Sequence, residues 1–75
     1  MNDAPCRDAQ QKMREKYSAY SVAAETLTIL EGSSTATKAD VSKQRATRTG
    51  ALKELIEAST AFLACLEEHP EVYGA

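Results

Sequence analysis

Residues 37–56, "TKADVSKQRATRTGALKELI", decide the fold of this chain. Read as one piece, they are the first half of a long helix that must lie back along the N-terminal half. Read as two pieces broken around "QRATRTG", they become two short helices meeting at an angle. The flanks favour a single rod. Thr37 with Asp40 three positions later resembles a capping box, Asp standing in for the usual Glu, so a helix is expected from Lys38 onward. Downstream, Val41, Leu52, Leu55, Ile56, Phe62, Leu63 and Leu66 supply an apolar face, with Ser59 in its middle. His69 and Pro70 close the helix at about residue 68, because the residue before a proline avoids helical geometry. Residues 69–75 are expected as a flexible tail.

Working upstream, "GSSTAT" (32–37) is the one strong loop signal, of a length that joins antiparallel helices. Gly32 is expected to end the preceding helix as a left-handed cap. That helix is predicted over about 4–31. Asp3 offers an acceptor to the first N–H groups, and Pro5 sits where its missing donor costs nothing. Cys6, Ala9, Met13, Tyr17, Tyr20, Ala24, Leu27 and Leu30 recur at steps of three and four along one face. The fold class expected is therefore all-α: one antiparallel two-helix hairpin spanning 1–75 as a single domain. Its register sets Leu27 and Leu30 near Val41, Tyr17 and Tyr20 near Arg48 and Leu52, Met13 near Leu55 and Ile56, and Cys6 level with Phe62 and Leu63.

The totals agree. The chain has 75 residues, 43% hydrophobic and 27% charged, with three Gly and two Pro, a balance that suits helices and excludes a turn-rich β fold. A domain this short builds a core worth only ~3–5 kcal/mol and usually needs a staple or a second copy. The single His (His69) and two widely spaced Cys (Cys6, Cys65) lack metal-ligand spacing, so neither metal nor cofactor is expected. Cys6 points into the apolar face and Cys65 away from it, so two reduced thiols are expected rather than a disulfide. Ser18, Val22 and Ile29 form a second patch on helix 1, on a face that a lone hairpin leaves wet. Pairing of two hairpins into a homodimeric four-helix bundle would cover it.

No run reaches the ~18–20 apolar residues of a membrane span. "MNDAPCRDAQ" has no basic start followed by an apolar block, and the chain is expected to be cytoplasmic. A net charge of −2 gives no global pull toward nucleic acid.

The opening stretch also resembles a helix-turn-helix. Ala39 and Val41 would pack, the turn would fall near Ala46, and "RTGALKELI" would be the recognition helix. That resemblance implies a small DNA-binding regulator, with Arg45, Arg48, Thr49 and Lys53 reaching nucleic acid. It departs from the pattern where Arg45 and Thr47 stand at apolar positions, where Ala46 replaces the turn glycine, and where Gly50 falls inside the second helix. As one rod, the same segment turns Arg45 and Arg48 inward over Ala23 and Ala24. Gly50 then faces solvent, costing about 1 kcal/mol relative to alanine. Catalysis is not expected, because His69 lies at a helix end with no base-and-orienter arrangement and no phosphate-binding glycine loop is present.

The layout is similar to small helical-hairpin adaptors and chaperones of bacterial secretion systems and to compact phage inhibitors, a likeness of architecture alone. The function expected is a small non-enzymatic protein-interaction module: an adaptor, chaperone or inhibitor that docks another protein on a helix face. Val22, Ile29, Leu55, Phe62 and Leu66 would form the partner or dimer interface.

Overall fold

The computed structural model describes residues 5–73. The capping box at Thr37 forms as the sequence predicts. The Asp40 N–H donates to Thr37 Oγ1 at 3.0 Å, and the Thr37 N–H donates to Asp40 Oδ2 at 3.1 Å. From that cap one helix, α2, runs without interruption through Lys38–Glu68. The stretch "QRATRTG" lies wholly inside it, so residues 37–56 contain no turn and no helix-turn-helix. Gly50 meets no atom within 4 Å of where a Cβ would sit, consistent with the solvent-facing place expected for it.

The first helix, α1, spans Arg7–Glu31. Cys6 stands at its N-cap position without a side-chain cap, and the expected cap at Asp3 and start at Ala4 lie outside the described residues. At the other end, Gly32 is not left-handed: its φ is −89° and ψ is −2°. Its N–H continues the helical pattern to the Thr28 carbonyl at 3.2 Å, and the Ser33 N–H closes a tighter turn onto Leu30 at 3.1 Å. A right-handed exit therefore replaces the left-handed cap. Loop hydroxyls take over the ordering, with Ser33 Oγ accepting from the Thr35 N–H at 3.3 Å. Beyond α2 the tail differs from expectation too. Residues Pro70–Tyr73 form a single helical turn, α3, whose Val72 N–H reaches the His69 carbonyl at 3.1 Å.

α1 and α2 pack along their lengths as an antiparallel hairpin, an all-α fold. The rows that face each other follow steps of three and four, save one step of seven on α2 that passes over the exposed Arg48. On α1 they are Cys6, Ala9, Met13, Lys16, Tyr20, Ala23, Leu27 and Leu30; on α2, Val41, Gln44, Ala51, Leu55, Ala58, Phe62 and Cys65. That spacing keeps a seam facing its partner when two helices wind gently around each other. Among the described residues only Cys6, Ala23, Leu27 and Ala58 are buried, and the two alanines let the backbones approach. The result is a rod of 54 × 20 × 16 Å. Its radius of gyration is 16.9 Å, against ~11 Å for a compact chain of this length.

Cys6 and Cys65 are joined by a disulfide, with Cα atoms 5.8 Å apart. This overturns the expectation of two free thiols. The apolar face expected from the sequence runs from Val41 to Leu66 with Ser59 at its middle, and Cys65 lies well round the helix from Ser59. The true seam is centred on Ala51, Leu55, Ala58 and Phe62, and Cys65 is its next member. The bond locks the open end of the hairpin while the loop closes the other.

Candidate interaction face

Because the seam of α2 lies to one side of the face drawn from sequence, its apolar residues divide into two rows. Leu55 and Phe62 turn toward α1 and are half-buried. Leu52, Ile56 and Leu63 do not: they are 39%, 56% and 58% exposed. With Thr49, Ser59 and Leu66 they make a second row, again at alternating steps of three and four. α2 thus carries two apolar rows, and α1 covers one of them.

α1 extends the outer face. Tyr17, expected in the core stripe, is 61% exposed. It joins Met13, Arg14, Leu55 and Ser59 around a shallow groove of about 280 Å³ on the Leu52–Leu63 side of the hairpin. Lys16 occupies the seam-side place instead, because its ammonium reaches across to Glu54 Oε1 at 2.7 Å. This pair sits on the opposite edge, with Lys12, Glu57 and Ala61. The hydrogen bond from Lys16, aided by its charge, holds the Glu54 carboxyl below its ordinary range, and the same bond raises the Lys16 ammonium. The N–H of Thr37 does the same for Asp40 at the cap.

The polar half of the hairpin also differs in detail from expectation. Arg45 and Arg48 do not turn inward over Ala23 and Ala24; both are exposed. Gln44 takes that place, its Nε2 donating to the Ala23 carbonyl at 3.1 Å. A short amide fits beside two alanines and finds an acceptor there, whereas a buried guanidinium would have to shed its water. Arg45 instead pairs with Glu31 Oε2 at 3.1 Å across the loop end. Arg48, Thr49 and Lys53 are exposed on one unbroken helix, without the crossed helices that would set them in a groove of DNA.

Val22 and Ile29 are 62% and 65% exposed, as the wheel of α1 implies. At ~100° per residue they lie roughly 120–140° round the helix from Tyr17, so they do not join the Leu52–Leu63 face. Of the interface residues named from sequence, Leu55 lines the groove, Leu66 continues the outer row and Phe62 belongs to the inner seam. Leu52, Ile56, Leu63 and Tyr17 were missed as surface residues. The signal that finds them is the second three-and-four row starting at Thr49.

Among the described residues no three His, Cys, Asp or Glu side chains gather where they could hold a metal ion. No helix among them is long and apolar enough to cross a membrane. Comparison with protein-family models, curated proteins and solved structures finds no match to this chain.

Proposed function

We propose that the protein is a non-enzymatic interaction module that works by docking a second amphipathic helix on the outer row of α2. One observation carries this reading: α2 is apolar on two faces, and Leu52, Ile56 and Leu63 remain in water after α1 has packed. Scattered exposed apolar residues are ordinary on a surface. A row of them at helix-packing spacing, edged by a tyrosine and a groove, is not scattered, and it has the i, i+3, i+4, i+7 form that helix-in-groove recognition reads.

The disulfide bears on where such a module works. Bonds of this kind persist in oxidising surroundings and are rare in a reducing cytosol. Cys6 is 1% exposed within the closed hairpin. An oxidising compartment therefore fits the chain better than the cytoplasm expected from its N-terminal sequence.

The experiment is a titration of isotope-labelled protein with a synthetic leucine-faced amphipathic helix, followed by amide chemical shifts. Docking predicts shifts concentrated at residues 52–66 and around Tyr17, lost in Leu52→Glu. Shifts that map instead to Val22 and Ile29, or that survive Leu52→Glu, would refute the assignment.

A further inference from the structure

We infer that the helix occupying the outer face of α2 is α2 of a second copy of this chain, running antiparallel about a two-fold axis. The inference rests on the reading of that face as a docking surface, and it names the occupant.

The first argument is the pattern of the row itself. Thr49, Leu52, Ile56, Ser59, Leu63 and Leu66 are spaced three, four, three, four, three, a sequence of steps that reads the same in both directions. Two antiparallel copies centred between Glu57 and Ala58 set Leu52 against the partner copy's leucine at 63, Ile56 against its serine at 59, and Thr49 against its leucine at 66. Each contact is repeated by symmetry. A self-complementary patch of this form is what an isologous two-fold interface requires.

Charge is the second argument. The first half of α2 carries Lys38, Lys43, Arg45, Arg48 and Lys53 against Asp40 alone. From Glu54 onward Glu57, Glu67, Glu68 and Glu71 follow with no Lys or Arg. Within the chain, α1 answers these blocks only in part, through Lys16–Glu54 and Arg45–Glu31. Arg48, Lys53, Glu67 and Glu68 have no ion partner among the described residues. In the antiparallel pairing Arg48 of one copy lies level with the acidic pair 67–68 of the other. A parallel pairing would set like against like. Such rim charges fix orientation and speed encounter more than they add affinity.

Area is the third. The chain exposes 5729 Å², whereas a compact monomer of 8.1 kDa would expose roughly 4,500 Å². The excess of about 1,200 Å² exceeds the ~800 Å² that each partner contributes to a standard interface.

Sedimentation equilibrium on the intact, oxidised chain tests the inference. The expected mass is twice 8.1 kDa, falling toward 8.1 kDa on dilution. Ile56→Glu should raise the dimer dissociation constant by more than about thirty-fold, the effect of losing a central anchor, while Ile29→Glu leaves it unchanged. Circular dichroism at low concentration checks that both variants keep their helices. Arg48→Glu should weaken association, and adding Glu67→Lys with Glu68→Lys should restore it. A dimer lost with Ile29→Glu but not with Ile56→Glu overturns the inference, and so does a charge swap without rescue. A monomer at every concentration up to about 1 mM, where only the weakest pairing would escape notice, also overturns it. In that event the peptide titration above still decides whether the face docks a helix, so the two failures are told apart.

Discussion

Breaking the Cys6–Cys65 bond should remove most of the stability of the isolated hairpin. The bond joins residues 59 apart in sequence, and it ties the one end of the rod that the loop does not. In the chain-entropy account, cross-linking over ~59 residues withholds about 14 cal/mol/K from the unfolded state, or about 4 kcal/mol at 25 °C. The opposing reserve is small. Among the described residues four side chains are buried and two of them are alanine. A core of this size is worth ~3–5 kcal/mol at best. Reduction should therefore bring the monomer close to the midpoint of unfolding at room temperature. At ~4–8 °C per kcal/mol for a domain of this length, the thermal midpoint should fall by roughly 15–30 °C. The assay is urea and thermal unfolding followed by circular dichroism, with and without a phosphine reductant. It should be repeated at several concentrations, because the dimer proposed above would add stability by mass action. The Cys6→Ser, Cys65→Ser double variant should match the reduced protein and show no response to reductant. Oxidised and reduced chains unfolding within about 1 kcal/mol of each other would refute the reasoning, as would two free thiols found by mass in protein folded under air.

Two further predictions rest on the backbone and the charges. Gly50→Ala should stabilise by about 1 kcal/mol, since the site is an exposed helix interior with open space around it, and chemical denaturation reads this directly. Gly32→Ala should gain a few tenths of that, because Gly32 is right-handed and its Cβ would meet only ordinary contacts at 3.6 and 3.8 Å. Stability should also fall at both extremes of pH. Asp40 and Glu54 lie below their ordinary 3.8 and 4.5, so their contribution is complete above those values and is lost as pH falls through the depressed folded ones. Lys16 is raised above its ordinary 10.5, so its share is complete below that value and disappears as pH rises past the raised one. Denaturant midpoints measured across pH should show Lys16→Met losing the alkaline limb and the Glu54 part of the acid limb while the Asp40 part persists.

The long-range outline of the hairpin was legible because its signals are local. Thr37 and Asp40 specify a helix start by their own hydrogen bonds, "GSSTAT" specifies a loop, and the stripe on α1 fixes which side turns inward. The split of α2 was not legible in the same way. Its apolar residues cover an arc wide enough for two rows, and only the position of α1 decides which row is inside. A face with Ser59 at its middle averages the two rows, and that average leaves Cys65 outside although it belongs to the inner one. Gln44 was overlooked for another reason. Whether an amide or a guanidinium enters a half-buried seam depends on an acceptor at the right height, here the Ala23 carbonyl, and no periodicity reports that. Gly32 misled because a glycine after a helix suggests a left-handed exit, while the chain needed only one more right-handed residue before Ser33 turned it.

A peptide link at each end of the rod would make the molecule a closed ring; here sulfur supplies one of the two. Scission anywhere within residues 33–36 then separates the sequence into two strands of polypeptide but not into two molecules. Fresh termini could be opened in that loop, or a foreign segment spliced into it, with the helices still moored to each other at the far end.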